Sequence, residues 1–404
     1  MKKVLTIALI LAMVFTLTAC AGSPAANTGT GNNNANTDNA NNTNQVAETP
    51  NEPDTPPSES NTPPSPPATQ SDAYELALIT DLGTIDDRSF NQGAWEGVVQ
   101  YATENNIPHK YYKPADQGDD AYLNAIDLAV QGGAKVVVTP GYLFEVPIFQ
   151  AQDIYKNVKF ILLDGAPNNG NYDAFETKIS DNTVSITYAE EQSGFLAGYA
   201  AVMDGYRKLG FMGGMAVPAV IRFGHGYIQG ADYAAAELGL AAGSVSINYY
   251  YTGTFAPAPE IASMAAAWYN DGIEVIFSCG GGICFSIFPA ADNSGNVVIG
   301  VDGDQSGESP TVITSAMKLL TKSVYDKLVQ FYDGSFPGGK AEIYSAANLG
   351  VGLPMETSKF KTFNQAQYDA IYAKLQDGTI VVDNNTEIRP DQVKTTIVTV
   401  NNLG

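Results

Sequence analysis

Residues Glu75–Gly97 read ELALITDLGTIDDRSFNQGAWEG. Leu76–Thr80 is a short apolar run, the pattern of a strand buried on both faces of a parallel sheet. It breaks at Asp81-Leu82-Gly83-Thr84 into a turn whose first residue is a carboxylate. Asp86-Asp87-Arg88-Ser89 then reads as a helix start, with Asp87 or Ser89 as the cap. Phe90, Ala94, Val98 and Tyr101 follow at helical spacing. The order strand, acidic loop, helix sets the fold class, because open α/β sheets bind ligands in the loops at the carboxyl ends of their strands. Asp81, Phe90 and Asn91 therefore surround one candidate pocket, suited to a flat polar ring joined to a hydroxylated group.

Outward from that stretch the alternation continues. Strands are expected at Leu76–Thr80, Ala134–Thr139, Val158–Leu163, Lys208–Met212, Ser246–Tyr251, Glu274–Ser278 and Val297–Val301. Helical patterns fall near 89–104, 119–131, 145–156, 183–203, 218–239, 257–271, 284–293 and 311–332. Such alternation implies βαβ units and mostly parallel sheets. The chain of 404 residues is too long for one ordinary core, so the reading is two doubly wound α/β lobes with a ligand cleft between them. The lobes are expected to be 73–182 plus 303–348, and 183–302 plus 349–404, closing about a hinge. Near the C-terminus, Gln365–Gln376 reads as a helix, Thr379–Val382 as a strand, and the alternating run Thr396–Val400 as part of a peripheral hairpin.

The first 19 residues read as an export leader, with Lys2 and Lys3 ahead of the apolar run Val4–Leu17. That run is too short for a membrane span. It ends in Leu17-Thr18-Ala19-Cys20, which resembles the lipobox of bacterial lipoproteins and implies lipid on Cys20. Two acyl chains suffice for stable attachment. Residues 20–72 hold the lipidated cysteine and a tether rich in Asn, Thr and Pro, whose composition cannot offset chain entropy by burial. A flexible coil of that length spans roughly 40 Å. The chain carries 21 basic against 43 acidic residues, which argues against nucleic-acid binding. Its two histidines, His109 and His225, lie far apart in sequence, which weakens any His-based metal or triad reading.

Three constellations could carry chemistry. Asp81, Asp164 and Asp302 each follow an apolar strand, and facing lobes would bring them to one cleft as acceptors for sugar hydroxyls. Lys318, on the helix expected after a strand at Thr311–Thr314, is a candidate counter-charge; surface turn formers are the plainer alternative. Phe90 and Phe223 each open a helical pattern, and rings from opposing lobes would sandwich a planar base unless both are core residues. Cys279 and Cys284 flank a glycine run, and a disulfide and two free thiols are both open. Neither a CxxC nor a neighbouring His pair is present, which argues against a zinc site. The run Asp81–Asp87 is also similar to the calcium motif of nucleoside hydrolases, but Ile79 stands where the first aspartate belongs and the register is shifted by one residue.

The TD-x-G-x-IDD-x-SFNQ-x-AWEG pattern, with VTPGY, KFILLDG, TYAEEQSGFLAGYAA, GGMAVPAVIRFGHGYIQGADYA, SCGGGIC, VVIGVDGDQS and TSAMKLL in that order, resembles the basic membrane protein family of bacterial lipoproteins. The resemblance covers about residues 74–330. It implies the type I periplasmic-binding-protein fold, and a monomeric purine nucleoside receptor that serves an ABC permease without a cofactor. Carried onto matching positions, Phe90 and Phe223 would stack the base, with Asn91 on its edge. Asp81, Asp164, Asp302 and Lys318 would hold the ribose, with Asp302 favoured over Asp304. Two positions depart from the family pattern. Gly280-Gly281-Gly282-Ile283-Cys284 lacks a hydroxyl after the sixth strand, bearing on the base contacts of Gly280, and Tyr227 adds one after Gly226. The expected role is extracytoplasmic capture of a nucleoside without chemistry. A nucleoside-cleaving enzyme, a receptor for another solute such as a sugar, and a sensor are the alternatives.

Overall fold

The computed structural model describes residues 73–404. The expected leader at 1–19 and the tether at 20–72 with Cys20 lie outside the described residues. The apolar runs become strands as expected, since a parallel sheet covered on both faces needs continuous apolar side chains. In the first sheet, β1 (Leu76–Ile79), β3 (Val136–Pro140) and β4 (Lys159–Leu163) are flanked by β2 (His109–Tyr112) on one side and by β5 (Thr183–Tyr188) and β11 (Lys340–Tyr344) on the other. All of its pairings are parallel, and every residue of β1 and β3 is buried.

The second sheet repeats the plan. It runs β12 (Val351–Gly352), β10 (Val312–Lys318), β9 (Val297–Asp302), β8 (Val275–Cys279), β6 (Lys208–Gly213), β7 (Val245–Tyr251) and β13 (Val398–Asn402). Only the β10–β12 pair is antiparallel. In each sheet the first strand of its unit lies between the second and third, so the order reverses at β1/β3 and again at β6/β8. The carboxyl ends beside such a reversal leave a crevice for a ligand.

Strand membership moves two of the three expected lobe crossings. Thr183–Tyr188, expected to open a long helix in the second lobe, is β5 of the first sheet, and the chain crosses at Ala189. Val312–Lys318, expected mainly as helix in the first lobe, is β10 of the second sheet, and the return is at Leu319. The third passage lies in the turn after β11, before β12. By their strands the lobes are thus 73–188 with 320–344, and 190–318 with 351–404. At the C-terminus, α9 (Gln365–Gln376) is capped by Asn364, whose side chain accepts from Gln367 N at 3.2 Å. Thr379–Val382 is irregular rather than a strand. The last run forms no hairpin: β13 adds parallel to β7, and Asp232 receives the backbone N–H groups of Thr396, Ile397 and Val398.

Two helices set the rigidity of the second lobe. α4 (Glu190–Met203) is buried on nearly every side, as its low polarity requires, and lies against α5 (Pro218–Glu237). Glycines make this possible. A Cβ at Gly194 would sit 2.0 Å from the Phe223 carbonyl oxygen, and one at Gly230 1.9 Å from that of Phe195. Gly198 and Gly226 meet the facing backbone in the same way. The two helices therefore pack as one body, and the first turns of α5, with Pro218, Val220 and Phe223, line the cleft.

Candidate ligand-binding site

A cavity of about 790 Å³ opens between the carboxyl ends of the two sheets. Asp81, Phe90, Asn91, Asp164, Phe223, Gly280, Asp302 and Lys318 all line it. Lys318 is its centre. It is the last residue of β10 rather than part of a helix, and it is 3% exposed. Its Nζ lies 2.6 Å from Asp164 Oδ2, 3.5 Å from Glu190 Oε1 and 3.6 Å from Asp302 Oδ1. Asp164 directly follows the first lobe's β4, Asp302 ends the second lobe's β9, and Glu190 stands at the crossing between lobes. Burial alone would pull the ammonium down, but Asp164, Asp302 and Glu190 outweigh it and hold Lys318 charged.

The two aspartates differ in what they have left to offer. Asp302 Oδ2 accepts a hydrogen bond from Ser89 Oγ of the opposite lobe. Asp164 Oδ1 is buried and has no partner among the described residues. An unpaired buried acceptor is costly unless a donor arrives. Burial pushes the Asp164 carboxyl up, with Lys318 pulling the other way. Both residues adopt left-handed backbone, with φ of +57° at Asp164 and +65° at Asp302. Few side chains other than Asn and Asp tolerate that conformation, and here it recurs at two strand ends facing one cleft. Asp304, two residues on, instead accepts from Thr357 Oγ1 at 2.6 Å on an exposed surface.

Asp81 stands apart from this cluster. Its Oδ1 accepts from Gly83 N at 3.0 Å and Asn91 Nδ2 at 2.9 Å, and burial raises its carboxyl above the usual range. Asn91 is spent on internal bonds: Nδ2 also donates to Asp87 Oδ2 at 3.0 Å, and Oδ1 accepts from Asp81 N at 3.3 Å. Asn91 thus orients Asp81 and leaves little free for a ligand edge. Asp87 caps α1 (Phe90–Asn105), accepting from the backbone N–H groups of Ser89, Asn91 and Gln92. Both Asp87 oxygens are therefore committed to the first turn, and the arrangement expected of a calcium loop is not built there.

The aromatic pair meets at Lys318. Its Nζ is 4.5 Å from the Phe90 ring centroid and 5.7 Å from that of Phe223, with Tyr188 at 5.2 Å. Phe223 is nearly fully buried and set by edge contact with Phe277, at 6.0 Å and 89°. Phe90 and Phe223 come from opposite lobes, so their rings border the same charged centre from both sides of the cleft. Gly280 is glycine for a local reason: a Cβ there would lie 2.8 Å from the Gly214 backbone, where the loops after β6 and β8 touch. Tyr227 is buried in the second lobe beside Phe277 at 5.3 Å, and does not line the cavity. Cys279 and Cys284 are free thiols, both buried, and burial pushes Cys284 up to about 12.

Sequence reading missed Glu190, Arg222, Ser89 and Gln305. Arg222 Nε donates to Glu190 Oε2 at 2.6 Å, and Gln305 Nε2 donates to the Arg88 carbonyl at 2.7 Å across the lobes. One signal was available. Glu190 and Glu191 open a helix that is largely apolar after Ser193 and that buries them, and carboxylates are rarely buried without a partner.

Comparison with known proteins agrees with this geometry. The family described as "Bmp: ABC transporter substrate-binding protein PnrA-like" matches residues 74–386. The chain is 30% identical over 325 residues to the ABC transporter nucleoside-binding protein BmpA of Lactococcus lactis subsp. cremoris (strain MG1363), covering 74% of this chain and 87% of that protein. It is 29% identical to Basic membrane protein A1 of Borrelia garinii subsp. bavariensis, covering 79% and 90%. Among solved structures, a solute-binding protein of an ABC transporter system from Aeropyrum pernix K1 superposes with a TM-score of 0.62 over 77% of this chain and 88% of that one, at 22% identity. A second, from Conexibacter woesei, gives 0.60 over 77% and 99%, at 21% identity. These two likenesses concern the fold, which is the periplasmic-binding-protein fold implied by the family resemblance. With a cleft built between two parallel-sheet lobes and a family match that spans most of the chain, the protein belongs to the Bmp, or PnrA-like, family of ABC transporter substrate-binding proteins.

Proposed function

We propose that this protein captures a nucleoside, a purine one in the first instance, outside the cell and delivers it intact to an ABC permease by closure of its lobes. The observation that carries the reading is the Lys318 centre. One buried cation faces an unpartnered carboxylate oxygen on Asp164 and two phenylalanine rings from opposite lobes. A ribose supplies the hydroxyl donors that Asp164 lacks, and a hydrogen bond to a charged group contributes about 1.5–3 kcal/mol. A purine supplies a face for the rings, at about 1–3 kcal/mol per stacked base. Asp81, which accepts from Asn91 and makes no ion pair with Lys318 among the described residues, is read as a partner for the edge of the base rather than for the ribose. The name of the Lactococcus relative supports a nucleoside as the ligand class.

The lipobox-like Leu17–Cys20 supports anchorage of the mature chain through lipid on Cys20. Cys20→Ala should release the protein from the membrane fraction into the medium; retention would refute the anchor. The ligand is tested by thermal shift of the purified protein against inosine, guanosine, adenosine, pyrimidine nucleosides and free sugars, with the bound nucleoside recovered afterwards. Stabilisation by purine nucleosides and intact recovery are expected. Recovery of split base and ribose would favour the enzyme, and stabilisation by sugars alone would remove the stacking role of Phe90 and Phe223.

A further inference from the structure

Glu190 touches no part of the cavity, yet it is wholly buried and reaches both cations beside it. It is the first residue of α4, directly after the chain leaves the first lobe. One oxygen lies 3.5 Å from Lys318 Nζ, and the other accepts from Arg222 Nε at 2.6 Å. Arg222 immediately precedes Phe223 on α5. We infer that Glu190 is the positioning residue of the cleft, fixing the Lys318 ammonium against Asp164 and, through Arg222, the turn of α5 that presents Phe223. The sugar wall and the base wall are then set from one point at the crossing between lobes.

The packing leaves Glu190 little choice. α4 and α5 meet backbone to backbone at Gly194, Gly198, Gly226 and Gly230, so neither helix can turn to give the carboxylate another partner. Lysine is a flexible stem with a point charge, and a fixed third acceptor is what restricts it. The groups that face this pair are Asp164, Asp302 and the rings of Phe90, Tyr188 and Phe223 around Lys318, with Glu191 4.0 Å from Arg222 Nε. Glu190 also opposes ionisation of Asp164, whereas Arg222 favours it. Neutralising either residue therefore moves the Asp164 carboxyl, and in opposite directions. A residue that only filled space would do neither.

This inference rests on the proposal that Asp164 accepts ligand hydroxyls in its ionised form. The probe is inosine, with affinity measured calorimetrically from about pH 5.5 to 8.5, a range that brackets the titration of a raised carboxyl. The wild-type protein should lose affinity as pH falls, with proton release on binding. Glu190→Gln should weaken binding about ten-fold or more at the alkaline end, the loss expected when one charge-assisted contact is loosened. Its acid limb should move to lower pH, while that of Arg222→Gln should move to higher pH. Wild-type affinity with an unmoved limb in Glu190→Gln, or shifts of both variants in one direction, would overturn the inference. If Glu190→Gln does not fold, the limb of Arg222→Gln decides alone. If the wild-type protein binds no nucleoside, the functional reading fails separately. The positioning role is then read from ligand-free thermal unfolding against pH, as the difference between each variant with Asp164 and the same variant carrying Asp164→Asn. Opposite displacements uphold it, and none overturns it.

Discussion

Replacing Lys318 by methionine tests the electrostatics of the cleft, because an unbranched stem one atom shorter is kept while the charge and its N–H donors are lost. Three carboxylates then lose their shared cation: Asp164 at 2.6 Å, Glu190 at 3.5 Å and Asp302 at 3.6 Å. Glu190 keeps Arg222, and Asp302 keeps the Ser89 hydroxyl. Asp164 keeps nothing of comparable strength, since its second oxygen is already unpartnered. Removing one member of a buried ion pair costs about 3–5 kcal/mol. The sign of the pH dependence follows. Burial raises the Asp164 carboxyl in the folded protein even with Lys318 present, and loss of the cation raises it further. A carboxyl raised on folding contributes stability that is present below its unfolded pKa and lost as pH rises through its folded one. Lys318→Met should therefore be worst at alkaline pH. Its deficit should shrink by up to about 1.4 kcal/mol for each pH unit as the medium becomes acidic and Asp164 takes up a proton. Urea unfolding midpoints of the wild type and the variant, at mildly acidic and at alkaline pH, measure this directly. An equal deficit at both would mean that Lys318 acts by packing alone, and the account of the cleft as a charge-balanced centre would fall.

Other outcomes follow from the same geometry. Phe223→Ala should lower purine nucleoside affinity by about 1–3 kcal/mol, the range for one stacked base, and direct calorimetric titration checks it; unchanged affinity would return Phe223 to the core. Gly230→Ala places a Cβ 1.9 Å from the Phe195 carbonyl oxygen, so α4 and α5 must separate. A destabilisation of about 1–3 kcal/mol or more is expected in urea melts, with weakened ligand binding because Arg222 and Phe223 ride on α5. A stable variant with normal affinity would show that the two helices are not a rigid unit.

What is local was legible in the residues alone. Apolar runs such as Leu76–Ile79 and Val136–Val138 need burial on both faces, which fixes parallel sheets and hence the α/β class. Aspartates directly after such runs, at 81, 164 and 302, are carried to the cleft by the strand before each, so they could be named without coordinates. What the sequence could not decide was which sheet a strand joins. Thr183–Tyr188 and Val312–Lys318 are short, mostly buried runs that lead straight into helices, and periodicity alone does not separate them from helix starts. The β-branched residues Thr183, Val184, Ile186 and Thr187 were the overlooked hint for the first. Sheet membership depends on the edge a strand pairs with, and that edge comes from residues far away in the chain. The same holds inside the cleft. Asn91 was legible as a site residue, but its amide is consumed by Asp81 and Asp87. Glu190 and Arg222 lie 32 positions apart and become partners only because glycines let α4 and α5 touch. Sequence sets which groups are available at the ends of strands; the packing of the lobes decides which of them still have hydrogen bonds to give.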